Sequence, residues 1–324
     1  MTVAGTSARA RHPVPLATLA ARACSRLIRT LQFEPLTPLA YFSALVAEDS
    51  SLPLLEAAIS VAQDDDPGLD VQAVLAQVDA LAHALGRRLP ADAAPLQRLR
   101  LLNHFFFEEL GFSGNVNDYY DRRNSDLPHV LSTRRGIPIT LALLYVELAT
   151  QIGLKANGIS FPGHFLVKLA LPRGEVVVDP FNGHSLSREQ LEDRLAPYRQ
   201  HHAATLGGVE LPLALFLQPA APRDCLARLL RNLKEIHRSA GDHVRLLSVQ
   251  RRLVLVLPQA WEEQRDLALA CAHHGGLDEA RTAMSLYLEH RPDAEDSEAM
   301  RRSLAQWAQS GALETPRRGR PRPN

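Results

Sequence analysis

Arg135-Gly136-Ile137-Pro138-Ile139 opens an apolar stretch that runs to Gly153, and behind it come Phe161-Pro162-Gly163-His164-Phe165-Leu166-Val167 and Val178-Asp179-Pro180. Proline suits the first turn of a helix, where an amide hydrogen has no intrahelical partner, so Pro138 marks a helix start. Residues 156–161, 164–170 and 175–178 then read as three short strands. Pro162-Gly163 separates the first two, and Pro172-Arg173-Gly174 makes a tight turn between the second and third. A helix followed by an antiparallel sheet is an α+β arrangement. His164 opens the second strand and Asp179 follows the third.

Working outward, residues 39–46, 52–61 and 71–85 repeat apolar residues at helical spacing, and Asp64-Asp65-Asp66-Pro67-Gly68 between the last two reads as a solvated turn. A helix over 95–110 begins on Pro95 and feeds Phe105-Phe106-Phe107 into the core, and 111–126 is a loop rich in Gly, Asn, Asp and Tyr. A charged helix over 188–195 closes the unit. Residues 199–222, with Pro212, Pro219 and Pro222, read as a connector. Beyond it Gly241 and Pro258, then Gly275 and Pro292, repeat with a period of 34 residues, the spacing of tetratricopeptide repeats. Such helix pairs make peptide-binding surfaces, and a short array also packs against the domain before it. The division is therefore a basic extension over 1–35, a helical and α+β domain over 36–198, a connector over 199–222, TPR-like repeats over 223–310 and a basic tail over 311–324.

The 324 residues are 46% hydrophobic and 22% charged, the composition of an ordinary globular protein. Net charge is zero but uneven: five arginines in residues 1–32 and four in 315–324 stand without any acid, so the body between is acidic. Leu16, Leu19, Ala23, Leu27 and Leu31 share a helical face, read here as a packed first helix. Cys24, Cys225 and Cys271 are scattered and odd in number, which argues against a disulfide framework and for a reducing compartment, the cytoplasm. No apolar run approaches the ~18 residues of a spanning helix.

Four segments together carry a resemblance. Asn117-Asp118-Tyr119-Tyr120-Asp121-Arg122-Arg123-Asn124-Ser125, Arg135-Gly136-Ile137-Pro138-Ile139, Phe161-Pro162-Gly163-His164-Phe165-Leu166-Val167 and Asp179-Pro180-Phe181-Asn182-Gly183 resemble the bacterial SirB-type transglutaminase-like proteins, over roughly residues 36–308. The resemblance implies a papain-like core with TPR helices behind it. In catalytic members of that superfamily a cysteine stands at the helix N-terminus, where the dipole favours its thiolate. A histidine then takes the proton and an aspartate orients the ring. By position His164 resembles the base, Asp179 the orienter, and Pro138 fills the nucleophile's place.

Proline has no ionisable group, so the substitution keeps the helix start and removes the nucleophile. Thr140 lies two positions further on, where a helical side chain points elsewhere; Ser132 and Thr133 precede the helix, and the three cysteines lack motif context. A His–Asp pair on neighbouring strands also pins a sheet by satisfying two buried polar groups, and an imidazole beside a cleft offers a ligand a donor or an acceptor. Tyr119, Tyr120, Asp121, Arg123 and Asn124 crowd aromatic and polar groups ahead of the helix, either for recognition or to pack and cap the loop. Cys271-Ala272-His273-His274 and His201-His202 lack the partners of a metal site, so no metal or cofactor is expected. Arg317, Arg318, Arg320 and Arg322 resemble an AT-hook core, or form a solvated basic end.

These residues support a non-catalytic interaction or scaffold protein that binds a protein or peptide partner. The alternative is a cysteine-independent hydrolase or acyltransferase that uses His164 and Asp179. Nucleic-acid association through the basic tail is a third reading.

Overall fold

The computed structural model describes residues 36–202 and 211–313. The apolar face over 16–31, Cys24 and the arginines at 317, 318, 320 and 322 lie outside them.

Helices α1 (Pro38–Leu45), α2 (Leu54–Ser60) and α3 (Val71–Gly86) fall where the apolar spacing puts them. The Asp70 carboxylate caps α3 by accepting the Ala73 amide at 3.0 Å. Helix α4 (Pro95–Asn103) starts on its proline, but the expected continuation to residue 110 becomes a π turn over His104–Glu109. The wider turn lets adjacent rings share one core: Phe106 stacks on Phe112 with centroids 4.4 Å apart, and Phe107 lies against Tyr145 at 5.6 Å.

The expected loop 111–126 contains a short strand, β1 (Ser113–Gly114), and a 3-10 turn over Arg122–Ser125. Helix α5 (Leu127–Thr133) leads to β2 (Arg135–Gly136), which pairs parallel with β1. Helix α6 (Pro138–Gln151) is buried along most of its length and packs against β3 (Lys155–Ile159) and β4 (Leu166–Leu171). With β5 (Gly174–Val178) and β6 (Ser185–Leu186) these strands form one antiparallel sheet in the order β3-β4-β5-β6. The first two strands begin one residue earlier and two residues later than expected. Gly163, at φ +71°, turns the chain, so His164 stands in the approach to β4 rather than on it.

The charged helix is longer than expected. Helix α7 runs from Arg188 to His202 through Pro197, because Leu191 and Leu195 pack with Ile159, Phe161, Leu166 and Val177. The connector also contains a helical turn, α8 (Leu213–Phe216), whose Phe216 meets the Tyr198 ring at 5.7 Å. Helices α9 (Pro222–Ala240), α10 (His243–Val256), α11 (Trp261–His273), α12 (Leu277–His290) and α13 (Ser297–Leu313) follow as antiparallel neighbours.

The repeats do not hang off the front of the molecule. Leu226, Leu229 and Leu230 of α9 and Val249, Leu253 and Val256 of α10 belong to the same apolar cluster as α1–α6, whereas α11 and α12 build their own around Ala268, Met284 and Tyr287. The Asp run is the expected exposed turn from Asp65 to Gly68, and its first two carboxylates also reach across this junction. Asp64 Oδ2 lies 2.7 Å from Nη1 of the buried Arg252, and Asp65 pairs with both Arg122 and Arg245. Burial pushes the Asp64 carboxyl up despite that cation, and burial lowers the Arg252 guanidinium in turn. Among the described residues no helix is long and apolar enough to cross a membrane.

Candidate functional site

Three elements converge at the site. β1 and β2 bring Gly114 beside Gly136, two residues ahead of the first turn of α6. The Gly114 amide donates to the Phe181 carbonyl at 2.7 Å, and the Asn115 amide donates to the Gly136 carbonyl at 3.0 Å. Only glycine fits at 114, because a Cβ there would fall 2.1 Å from the Phe181 ring. The loop after β5 is thereby sewn to the strand pair that precedes α6.

The expected His–Asp pair forms. His164 Nε2 lies 2.8 Å from Asp179 Oδ1, although neither residue is on a strand. Register explains the meeting: Val167 faces Val178, so the residues just before β4 and just after β5 share the end of one ladder. The Asp179 carboxylate is buried and also accepts the Phe181 amide at 3.0 Å, Arg194 Nη1 at 3.0 Å and Asn182 Nδ2 at 3.4 Å. Burial pushes its carboxyl up, but the bonds from His164, Phe181 and Arg194 outweigh this and hold it below the usual carboxylate range. With Nε2 facing Asp179, Nδ1 is the ring nitrogen left for a ligand, on a side chain 23% exposed.

Arg194 was not legible as a site residue; it reads as one more charge on a solvated helix. It approaches Asp179 only because α7 packs across the sheet.

At the start of α6, Pro138 and Thr140 are both buried. Thr140 Oγ1 lies 2.8 Å from the Asn124 carbonyl and 3.0 Å from the Ile137 carbonyl and accepts the Ile137 amide at 3.2 Å, so this hydroxyl is committed to the turn. Ser132 and Thr133 both donate to the His129 carbonyl. Cys225 is buried and its thiol is pushed up to about 12 by burial; burial likewise raises Cys271 to about 11. Neither has the electropositive, accessible surroundings of a reactive thiolate.

The aromatic loop splits by role. Tyr120 is 79% exposed and Tyr119 43%, so the rings are presented rather than folded under. Tyr120 meets Tyr119 edge-on at 5.3 Å, Tyr119 meets Phe181 at 6.0 Å, and Phe181 meets the His164 ring at 6.4 Å. One aromatic wall therefore runs from the exposed loop to the imidazole. Asn124, grouped with these residues as a contact, is instead buried. It accepts Asn115 Nδ2 at 2.9 Å and donates to the carbonyls of Asp118 and Tyr119 at 2.7 and 3.1 Å, which builds the loop from inside. Asp121 caps the 3-10 turn through the Arg123 amide and pairs with the Arg123 side chain at 2.8 Å, whose hydrogen bond lowers its carboxyl.

Among the described residues no group of three or more His, Cys, Asp or Glu is placed to hold a metal ion. His273 stacks on His243 at 3.9 Å instead of converging with Cys271.

The architecture and this site define a transglutaminase-like domain followed by tetratricopeptide helices. Residues 72–231 match the Transglutaminase-like superfamily, and residues 233–305 match the Tetratricopeptide repeat. A UPF0162 protein of Xylella fastidiosa (strain 9a5c) is 35% identical over 267 residues, covering 81% of this chain and 92% of that protein. A UPF0162 protein of Pseudomonas aeruginosa is 30% identical over 206 residues, 63% of this chain and 72% of that one. The chain belongs to the UPF0162 protein family. F-box only protein 21 of Homo sapiens is 33% identical over 122 residues, which is 35% of this chain and 19% of that protein.

Proposed function

We propose that this chain is a non-catalytic interaction protein in which a transglutaminase-like cleft without a nucleophile binds a protein or peptide partner. The observation that carries this reading is Pro138 in the first turn of α6, at the place where the superfamily's cysteine would stand. Acyl transfer by that mechanism needs a thiolate, and a pyrrolidine ring offers neither a proton to remove nor a lone pair to attack with. Thr140 is spoken for by the backbone, and the two described cysteines are buried and protonated. His164 and Asp179 then serve as a strut for the end of the sheet and a hydrogen-bonding contact for the ligand. Tyr119, Tyr120 and Arg123 present the contact surface, as aromatic and arginine side chains do at binding hot spots. The SirB-type assignment and a cytoplasmic location belong to the same reading, from the motif set and the sparse cysteines.

The test is incorporation of a fluorescent amine into a glutamine donor protein, together with hydrolysis of labelled peptides, by the wild-type chain and by His164→Ala. The expected result is no turnover by either. Turnover that disappears in His164→Ala establishes a cysteine-independent hydrolase or acyltransferase instead. Pro138→Cys tests the positional equivalence: a thiol titrating below the ordinary ~8.5 is expected beside His164. An unshifted, slowly alkylated thiol in a folded variant removes the equivalence.

A further inference from the structure

The groups around Asp179 fix more than the position of the His164 ring. Oδ1 of Asp179 accepts the Phe181 amide at 3.0 Å and faces His164 Nε2 at 2.8 Å. Oδ2 accepts Arg194 Nη1 at 3.0 Å and Asn182 Nδ2 at 3.4 Å. An ionised carboxylate has about four lone-pair sites and no hydrogen to give. Here the sites are filled, and the guanidinium on Oδ2 favours the ionised form. Nε2 therefore meets Oδ1 as a donor. In a neutral imidazole one nitrogen carries the hydrogen and the other a lone pair, so Nδ1 becomes an acceptor.

Nδ1 has no hydrogen-bond partner among the described residues, yet it is not one of the unpartnered polar atoms sealed from water. The side chain is 23% exposed. The lone pair thus opens to solvent at the end of the wall formed by Tyr120, Tyr119 and Phe181.

Polarity selects what can meet it. A carboxylate would set lone pairs against a lone pair. The charge of Asp179 is matched by Arg194, so nothing in these three residues calls for an ammonium. A hydroxyl or amide hydrogen satisfies the nitrogen. An apolar or aromatic body behind that hydrogen would cover Phe181, whose ring centroid lies 6.4 Å from that of the imidazole.

We propose that Asp179, held by Arg194, locks the neutral His164 ring with its hydrogen on Nε2, and that the partner segment is recognised at Nδ1 through an O–H or N–H beside an apolar or aromatic group. This rests on the reading of His164 as a ligand contact and gives that contact its polarity. Asp179 is here a positioning residue, acting through the imidazole.

The experiment is two-bond proton–nitrogen correlation NMR on the full-length chain with isotope-labelled histidine, at about pH 9, above the usual titration range of histidine. His164→Gln assigns the signals. The expected spectrum places the hydrogen on Nε2 and leaves Nδ1 bare. Asp179→Asn, whose amide both donates and accepts, is expected to lose that preference and populate both forms. Benzyl alcohol is expected to shift the Nδ1 resonance and to bind roughly fivefold tighter than benzyl methyl ether, the net worth of one hydrogen bond. His164→Phe is expected to bind the two alike. A hydrogen on Nδ1 in the wild type, or the wild-type form persisting in Asp179→Asn, would overturn the proposal. So would an ether that binds as well as the alcohol, or tighter binding of benzoate or benzyltrimethylammonium. None of these outcomes bears on turnover: amine incorporation abolished by His164→Ala would remove the first proposal and leave the tautomer standing.

Discussion

Asp179 and Asp64 are both carboxylates withdrawn from water with a cation close by, yet the balance falls opposite ways. Asp179 gathers four donors, two of them from side chains 15 residues away in sequence, and its carboxyl is held low. Asp64 has one close cation, Arg252, across the junction with the helical repeats, and burial raises its carboxyl. Neither oxygen Oδ2 of Asp64 nor Nε and Nη2 of Arg252 makes a well-directed hydrogen bond. The guanidinium rests instead over the Phe42 ring at 5.2 Å. A carboxylate saturated with hydrogen bonds tolerates burial; one offered charge without directed bonds does not. The first arrangement builds a site, and the second fastens two modules at a cost.

The most severe test of that contrast is at the junction. Arg252→Met leaves Asp64 without its counter-charge and is expected to lose about 3 kcal/mol, read by urea denaturation. Adding Asp64→Leu should recover most of it, because removing both charges restores an apolar contact. A single variant that costs under ~1 kcal/mol would show that this ion pair does not fasten the repeats.

At the site, Asp179→Ala strips an acceptor from His164, Arg194 and the Phe181 amide. The expected loss is about 2 kcal/mol, the scale of buried donors left unpaired. Differential scanning calorimetry of this variant beside His164→Ala separates the carboxylate's part from the ring's.

Acid titration then sharpens the contrast by sign. The Asp179 carboxyl is lowered by folding, so its contribution is complete above the unfolded value of ~3.9 and disappears as pH falls through the lower folded value. The Asp64 carboxyl is raised, so its contribution is complete below ~3.9 and declines as pH rises through the folded value. Relative to wild type, Asp179→Asn should therefore fall behind as pH rises through its window, and Asp64→Asn should gain ground. Stability curves between about pH 2 and 6 that slope alike would refute the distinction.

The smallest expected change in stability is at Tyr120. With 79% of its surface in water, Tyr120→Ala should shift stability by under ~0.5 kcal/mol, measured by the same denaturation. A larger loss would mean that the ring packs the loop rather than meeting a partner.

Much of the site was legible because its parts announce themselves locally. Pro138 marks a helix start by having no amide hydrogen, and Gly163 and Gly174 mark the turns that set β4 against β5. Those turns are enough to bring His164 to Asp179. Arg194 was hidden, since nothing around it distinguishes a charge aimed at a buried carboxylate from one aimed at water. Asn124 was misplaced for the complementary reason: a polar residue in a polar loop gives no sign that it faces inward. The Asp64–Asp66 run is exposed from Asp65 on, as it reads, but the ion pairs of Asp65 were hidden because its partners, Arg122 and Arg245, lie far along the chain, the latter by 180 residues.

By itself, the order of residues determined the helix–sheet core, the 34-residue repeat behind it and the absence of a thiol at position 138. Each depends on periodicity, on turn geometry or on the identity of one side chain, all of which are local properties. Tertiary packing alone decided that α9 and α10 share the front core and that Arg194 joins His164 on Asp179. Those outcomes depend on which distant surfaces exclude water together, and burial of that kind has no signature within a few residues of sequence.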